Sequence, residues 1–223
     1  MFNRISGTYD FLNHLLSFGL DVVWRKRLIS FIPKEDPLKL LDLATGTGDV
    51  LFTLVKNCPN ITQAYGLDLA ENMLKVAHAK SDAEKLNAQI NFRVGNAANI
   101  PFPNQSFDVV TLAFGIRNME NVDKVLAEIH RTLTEQGRAL ILEFSLPKNP
   151  VLRSLHLFYL RVIVPIVGAV VSRDASAYRY LNQTIEQFPY GEKFCAIIKK
   201  NGFREVKFHP LTGGIATIYE MKK

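Results

Sequence analysis

Cysteine is scarce in this chain: 223 residues contain two, Cys58 and Cys195. They form no Cys-x-x-Cys pair and have no histidine cluster nearby, which excludes the usual zinc arrangements; no metal is expected. Two cysteines are too few for a disulfide framework, so a reducing, cytoplasmic setting fits. The N-terminus lacks the apolar stretch of a secretory signal. A long hydrophobic run is missing too. Val151 to Val171 is rich in Leu, Ile, Val and Phe, but Arg153, His156 and Arg161 interrupt it. The uninterrupted part, Val162 to Val171, contains Pro165. A spanning helix needs about 20 mainly apolar residues, so this segment is read as non-spanning. Long basic runs are absent as well. The largest clusters are Arg25-Lys26-Arg27 and Lys222-Lys223. The net charge of +6 therefore suits nucleic acid, an anionic membrane surface or an acidic ligand, and selects none of them. No repeat of fixed period and no low-complexity segment occurs.

What is present is a hydrophobic content of 48%, enough for one compact domain over 1–223. Residues 36–43 read as a strand, Gly46 to Gly48 as a turn, and Asp49 to Asn57 as a helix closed by Pro59. Ala64 to Leu69, Ile90 to Val94, Phe107 to Ala113 and Ala139 to Phe144 read as four further strands, with Gly137 in the turn before the last. Between them, Asn72 to Leu86 and Val122 to Leu133 carry helical spacing; in the second, Val122, Val125, Leu126, Ile129 and Leu133 fall on one face. Strands alternating with helices predict βαβ units and a largely parallel sheet. After residue 145 the rhythm changes to a partly apolar helical region over about 150–188. A helix over 191–201 follows, then two strands, Arg204 to His209 and Ile215 to Met221, around Thr212-Gly213-Gly214. Their short loop makes them antiparallel.

The segment Asp42-Leu43-Ala44-Thr45-Gly46-Thr47-Gly48-Asp49 sits where the first strand meets a helix. Gly46 and Gly48 let backbone approach a ligand, and the helix N-terminus offers free N–H groups. Asp68 ends the next strand, where a carboxylate accepts hydrogen bonds from ribose hydroxyls. Gly95-Asn96-Ala97 follows the third strand. Together these describe a nucleoside site. A dinucleotide fingerprint needs a third glycine, but that position is Leu51, which argues against a pyrophosphate. A methionine moiety has no phosphate, so S-adenosylmethionine is the expected cofactor. Asp42 and Asp49 flank the loop; either can contact the methionine ammonium, and Asp42 can equally fix the loop backbone. Arg117 and Asn118 follow the fourth strand at its carboxyl end, where two substrates should meet. Glu143 ends the fifth strand and either lines the site or satisfies a buried backbone group. His14, His130 and His156 are candidate bases with no motif behind them.

From here the sequence resembles one family, the quinone C-methyltransferases that methylate demethylmenaquinol and, in some organisms, a ubiquinol precursor. The resemblance covers nearly the whole chain. It is carried by Tyr9-Asp10-x-x-Asn13-x-x-x-Ser17-x-Gly19-x-x-x-x-Trp24-Arg25, by Phe114-Gly115-Ile116-Arg117-Asn118, by Arg131-x-Leu133 through Leu142-Glu143-Phe144-Ser145, and by Tyr178-Arg179-Tyr180-Leu181. It implies an α/β, class I S-adenosylmethionine-dependent methyltransferase, with a Rossmann-like, mostly parallel seven-stranded sheet, its last strand antiparallel and helices on both faces. Within it, 1–34 would be a helical lid, 35–145 the cofactor core, 146–190 a substrate cap and 191–223 the closing helix and strand pair. Cofactor contacts carry over at Thr47, Asp68, Asn96 and Ala97. Some members have a serine where Ala113 stands here, and the usual Lys-Pro-Gly-Gly turn is Thr134-Glu135-Gln136-Gly137.

The resemblance further implies C-methylation of a reduced prenylated quinone, demethylmenaquinol to menaquinol. S-adenosylhomocysteine would be the coproduct, and no metal takes part. Arg117, Asn118 and Tyr178 become the candidate catalytic residues, with Tyr9, Asn13 and Arg117 contacting substrate. Arg117 would stabilise a phenolate or order a water; a guanidinium stays protonated and is no simple base. The expected partner is a prenylated quinol. A peripheral contact at the inner face of the cell membrane and a homodimer are both compatible with the sequence, and no nucleic acid is expected. The alternatives are methylation of 2-polyprenyl-6-methoxy-1,4-benzoquinol or of another small molecule on the same fold, an NAD-dependent oxidoreductase, and a non-catalytic binding protein. Leu51 and the lack of a helical Tyr-x-x-x-Lys count against the second.

Overall fold

The computed structural model describes residues 14, 16–34, 37–167 and 175–223, with side chains in the last stretch from residue 180. The expectations placed on Tyr9, Asn13 and the Tyr178 side chain lie outside the described residues. Seven strands form one sheet: β1 (Leu38–Leu43), β2 (Ile61–Asp68), β3 (Ile90–Val94), β4 (Phe107–Ala113), β5 (Leu133–Phe144), β6 (Glu205–Leu211) and β7 (Ala216–Lys222). Their order is β3-β2-β1-β4-β5-β7-β6. The pairs from β3 through β5 are parallel, while β7 runs antiparallel to both its neighbours. The sheet has the expected sense, with its last strand reversed.

Side chains alternate across a strand, so neighbouring positions feed opposite faces. Leu40, Val109, Leu140 and Ile218 enter one apolar layer, while Leu41, Val110, Ile141 and Tyr219 enter the other. Both faces are covered, which is why the central strands read as near-continuous apolar runs. Helix α1 (Leu20–Arg27) and helix α2 (Asp49–Asn57) supply Trp24 and Leu51 to the first layer. Helix α3 (Glu71–Ala83) follows β2. Helix α4 (Val122–Thr132) supplies Val125, Leu126 and Ile129 to the second layer, and its N-terminus is capped by the Asn121 side chain accepting from Lys124 N–H.

The chain reverses direction across the sheet at β1 and β4. The loops leaving their carboxyl ends open a crevice at this topological switch point, where open α/β sheets bind ligands. Two segments differ from the sequence expectation. β5 starts at Leu133, the last residue of the predicted helix, and runs on through the predicted turn. Its register steps from Phe107↔Leu133 to Val109↔Arg138, so residues 134–137 are accommodated as a bulge. Gly137 is needed there, since a Cβ would lie 3.0 Å from the Thr134 carbonyl oxygen.

The second difference is the cap. Helix α5 (Pro150–Phe158) starts on an Asn149 cap with Pro at its first position, then widens into a π turn over Tyr159–Ile163 and remains helical to residue 167. The Asn182 amide of helix α6 (Ala175–Gln187) donates to the Leu160 carbonyl in that turn. Leu146, Leu160, Val164 and Ile185 form a small core of their own beneath the cap. Helix α7 (Glu192–Lys200) closes the second layer through Phe194 and Ile198.

Candidate active site

The loop between β1 and α2 is shaped by its glycines. Gly46 (φ +57°) and Gly48 (φ +85°) adopt left-handed backbone that side chains disfavour. At Gly48 a Cβ would meet the Phe52 ring at 2.6 Å, whereas at Gly46 it would meet nothing within 4 Å. Gly46 thus faces open space, the crevice itself. Its N–H donates to Asp68 Oδ2 at 2.8 Å, and the Ala70 N–H donates to Asp68 Oδ1 at 2.7 Å. These bonds fix the Asp68 carboxylate at the cavity wall. Burial raises the Asp68 carboxyl above its ordinary range, and the backbone donors offset part of that.

Asp42 is fully buried below the loop and accepts from Thr45 Oγ1 and Thr111 Oγ1, both at 2.6 Å. Burial pushes its carboxyl up to about 7; the two hydroxyls oppose this and the Asp68 charge adds to it. Asp49, the first residue of α2, takes Lys80 Nζ at 2.8 Å on one oxygen and Arg25 on the other. Burial raises its carboxyl, but Arg25 and Lys80 outweigh it, and the net shift is downward. Arg25 also pairs with buried Asp21, which accepts from Ser17 Oγ at 2.7 Å and lies 3.1 Å from His14 Nδ1. Both loop carboxylates are therefore engaged within the protein, and Asp21, Arg25 and Asp49 tie α1 to the start of α2. Trp24 completes the tie: its Nε1 donates to Thr212 Oγ1 at 2.8 Å, and its ring packs on Phe114 and Phe144. These contacts seat the described part of the 1–34 segment against the loop and the start of α2.

All of this borders one cavity of about 990 Å³. Of the residues singled out in the sequence, Asp42, Gly46, Thr47, Asp68, Asn96, Ala97, Ala113, Arg117 and Asn118 line it together, whereas Gly48 is not among the lining residues. Thr47 and Ala97 are buried, while Asn96 is exposed and uses its Oδ1 to accept from Ala98 N–H at 2.8 Å. At the far end the lining becomes apolar, with Phe144, Leu152, Leu155, Leu160 and Val164.

Arg117 and Glu143 form the buried charge pair of the site. Arg117 Nη1 donates to Glu143 Oε1 and to the Phe114 carbonyl, each at 2.6 Å, and the guanidinium stands over the Phe144 ring. Glu143 Oε1 also accepts from Phe144 N–H at 2.8 Å, so Glu143 both lines up the site's arginine and satisfies backbone. Arg117 Nε is buried with no hydrogen-bond partner among the described residues. Phe114 reaches this place with a positive φ of 55°, a conformation disfavoured for a bulky residue.

Of the three candidate histidines, only His156 lines the cavity. It is buried, its Nε2 has no partner among the described residues, and burial lowers its pKa from the ordinary value. His130 packs on Phe203, and His14 is exposed beside Asp21. The sequence reading passed over Arg25 and Leu69. The first is visible in the Trp24-Arg25 motif. Leu69 is an exposed apolar side chain directly after Asp68 that also lines the cavity.

Comparison with known proteins agrees with this geometry. A sequence model described as the ubiE/COQ5 methyltransferase family matches residues 1–223. The "Ubiquinone/menaquinone biosynthesis C-methyltransferase UbiE" of Geotalea uraniireducens is 41% identical over 223 residues, covering 100% of this chain and 94% of that protein. The "Demethylmenaquinone methyltransferase" of Thermus thermophilus is 38% identical, covering 98% of each. Among solved structures, a putative S-adenosylmethionine-dependent methyltransferase of Methanococcus maripaludis superposes with a TM-score of 0.71 at 18% identity, covering 100% of this chain and 94% of its own. The Haemonchus contortus phosphoethanolamine N-methyltransferase 2, solved with S-adenosylhomocysteine, gives 0.65 at 18% identity, covering 88% and 51%. At these identities the structural likeness speaks to the fold.

Proposed function

This chain belongs to the ubiE/COQ5 methyltransferase family, and from that premise we propose that it methylates a ring carbon of a reduced prenylated quinone, demethylmenaquinol to menaquinol, with S-adenosylmethionine as donor. The observation that carries this reading is one cavity with two kinds of wall. Its nucleoside end is built from the glycine loop and Asp68, its other end is apolar, and a buried arginine lines the same space.

The residues present fit the cofactor. The open space at Gly46 admits a ligand against backbone, the Asp68 carboxylate stands at the cavity wall for two ribose hydroxyls, and the apolar Leu69 and Ala97 flank a base. Thr47 and Asn96 complete the set that would hold it. When bound, S-adenosylmethionine supplies a methyl group made electrophilic by a sulfonium, which needs no metal.

The protein's task is then to make the quinol carbon a nucleophile. Loss of a phenolic proton pushes electron density onto the ring carbon. The Arg117 guanidinium favours the phenolate and orders the water that takes the proton. Glu143 holds Arg117 in place, and Asn118 offers a hydrogen bond to the same oxygen. Phe114 and Phe144 give the ring an apolar face to lie on, and holding carbon, methyl and sulfur in line can supply up to about 7–11 kcal/mol. The ring carbon would form its bond to the methyl as the methyl–sulfur bond breaks, the electron pair staying on sulfur to leave S-adenosylhomocysteine, and the carbon then loses its hydrogen as a proton to water, which restores the aromatic ring. The acceptor's tail makes it a bilayer lipid, so the enzyme has to work at a membrane surface.

Relatives also bear the double name ubiquinone/menaquinone, so a methoxy-benzoquinol is the alternative acceptor. The test is kcat/KM for demethylmenaquinol against 2-polyprenyl-6-methoxy-1,4-benzoquinol, with the product identified by mass spectrometry. A preference for the naphthoquinol supports the reading. The reverse ratio moves it to the benzoquinol, and transfer to neither overturns it.

A further inference from the structure

The run Pro150–Val167 is helical for 18 residues and has a mean hydropathy of 1.5, long and apolar enough by length and composition to cross a membrane. Yet one side of it belongs to the protein: His156, Leu160 and Val164 are buried and line the cavity. The other side bears Val151, Leu155, Phe158, Val162 and Ile166, spaced by four, three, four and four residues, which is one helical stripe. Four of them are 68%, 62%, 59% and 58% exposed (Val151, Leu155, Phe158 and Ile166), and Val162 is 38% exposed. Scattered surface hydrophobes need no explanation, but a continuous stripe of this kind marks an interaction surface.

Two features say what covers it. The first is continuity with the cavity. Leu155 and Phe18, itself 78% exposed, both belong to the cavity lining, so the cavity opens at the stripe. The Tyr159 ring packs on Phe18 and its hydroxyl donates to the Leu16 carbonyl at 2.7 Å, which joins the two sides of that opening. The second is charge. Pro150–Val167 contains no acidic residue; Arg153 and Arg161 on it are exposed, Arg161 paired with Glu186 at 2.5 Å, and exposed Lys148 just before it stands over the Phe208 ring. An exposed apolar stripe on a helix that carries cations and no acid suits the headgroup boundary of an anionic bilayer.

We propose that this stripe, with Phe18, docks on an anionic phospholipid bilayer and opens the cavity directly to a lipid acceptor held there. The helix lies in the interface with one face in the lipid and the other over the cavity, and does not span. The proposal rests on the reading of the acceptor as a prenylated quinol, and the experiment separates the two.

The full chain is floated with vesicles of phosphatidylcholine alone or with phosphatidylglycerol, and compared with the double variant Phe158→Glu/Ile166→Glu, whose positions lie outside the cavity lining. The wild type is expected to co-float with the anionic vesicles. The variant should lose at least about tenfold in vesicle partition and in kcat/KM on a vesicle-embedded long-tailed acceptor. It should keep its turnover on a short-tailed, water-dispersed acceptor, which also certifies folding. Wild-type protein that stays in the aqueous fraction overturns the proposal, as does a variant that floats and turns over like wild type. A concentration-dependent dimer that the variant abolishes, with no flotation of wild type, assigns the stripe to a second copy instead. Variant-sensitive flotation without methylation of either acceptor upholds the docking face and overturns the acceptor reading.

Discussion

Removing one partner of the Arg117–Glu143 pair separates its structural from its chemical part. Both side chains are almost fully buried, with relative exposures of 5% and 1%, and they meet at 2.6 Å. Taking the partner from a buried charge leaves the survivor desolvated and unpaired, at a cost of about 3–5 kcal/mol. Glu143→Leu and Arg117→Met should each lose that much stability. For a chain of this size that is roughly 6–20 °C in Tm. Replacing both with apolar residues of similar volume removes the orphan charge, and such replacements are often neutral or stabilising by about 1–4 kcal/mol. The double variant Arg117→Met/Glu143→Leu should therefore recover most of the lost Tm. It should not recover turnover. A donor aimed at a developing oxyanion contributes about 10²–10³ in kcat, and the double variant lacks it. The assays are circular dichroism melting and product formation under saturating acceptor. A double variant that is both stable and as fast as wild type would refute the role given to Arg117. Single variants that melt with wild type would refute the pair as described.

Asp42 gives a pH dependence. Its carboxyl is raised to about 7 from an ordinary 3.8, so its contribution to stability is fully present below about pH 3.8 and is lost as pH rises through about 7. The change is on the order of 4 kcal/mol, and Asp42→Asn should flatten it in melts taken across that range. A cationic ligand beside Asp42 favours the anion, so cofactor affinity should rise with pH up to about 7 and binding should release a proton. Calorimetry in buffers of different ionisation heat reads this, and buffer-independent heats would contradict it. Asp68→Ala should weaken cofactor binding by about 100-fold or more, from two lost charge-assisted hydrogen bonds at roughly 1.5–3 kcal/mol each; unchanged calorimetric affinity would remove Asp68 from the site. Gly46→Ala and Gly48→Ala should part ways. At Gly46 the Cβ enters open space, so affinity falls more than Tm; at Gly48 it meets Phe52 at 2.6 Å, so Tm falls first. Equal effects on both readouts would contradict the picture of the loop.

The sequence made the parts legible wherever local chemistry decides them. Strand β3 and helix α2 fall at their predicted bounds because a short apolar run and a Gly-to-Pro interval leave little freedom. The glycine loop, Asp68 and Ala97 lie on one cavity because the βαβ rhythm sends successive strand ends to the same edge. What was hidden depends on contacts between distant residues. Glu143 meets Arg117 across 26 positions, and each alone is an ambiguous charge at a strand end. The π turn at Tyr159–Ile163 is held by Asn182, 22 residues from the carbonyl it caps. Residues 134–137 read as a plain turn because Gly137 signals a tight bend equally in a loop and in a bulge. The Arg25 network joins α1 to α2 through Asp49, which the spacing could offer only as a ligand contact.

The most direct test of the central claim is methyl transfer from labelled S-adenosylmethionine to a short-tailed demethylmenaquinone, run with and without a reductant and read by mass spectrometry. The account predicts the gain of one ring methyl that depends on reductant, because only the quinol can furnish the phenolate that Arg117 stabilises. Equal methylation of the oxidised quinone, or no transfer despite calorimetric binding of the cofactor, would contradict it.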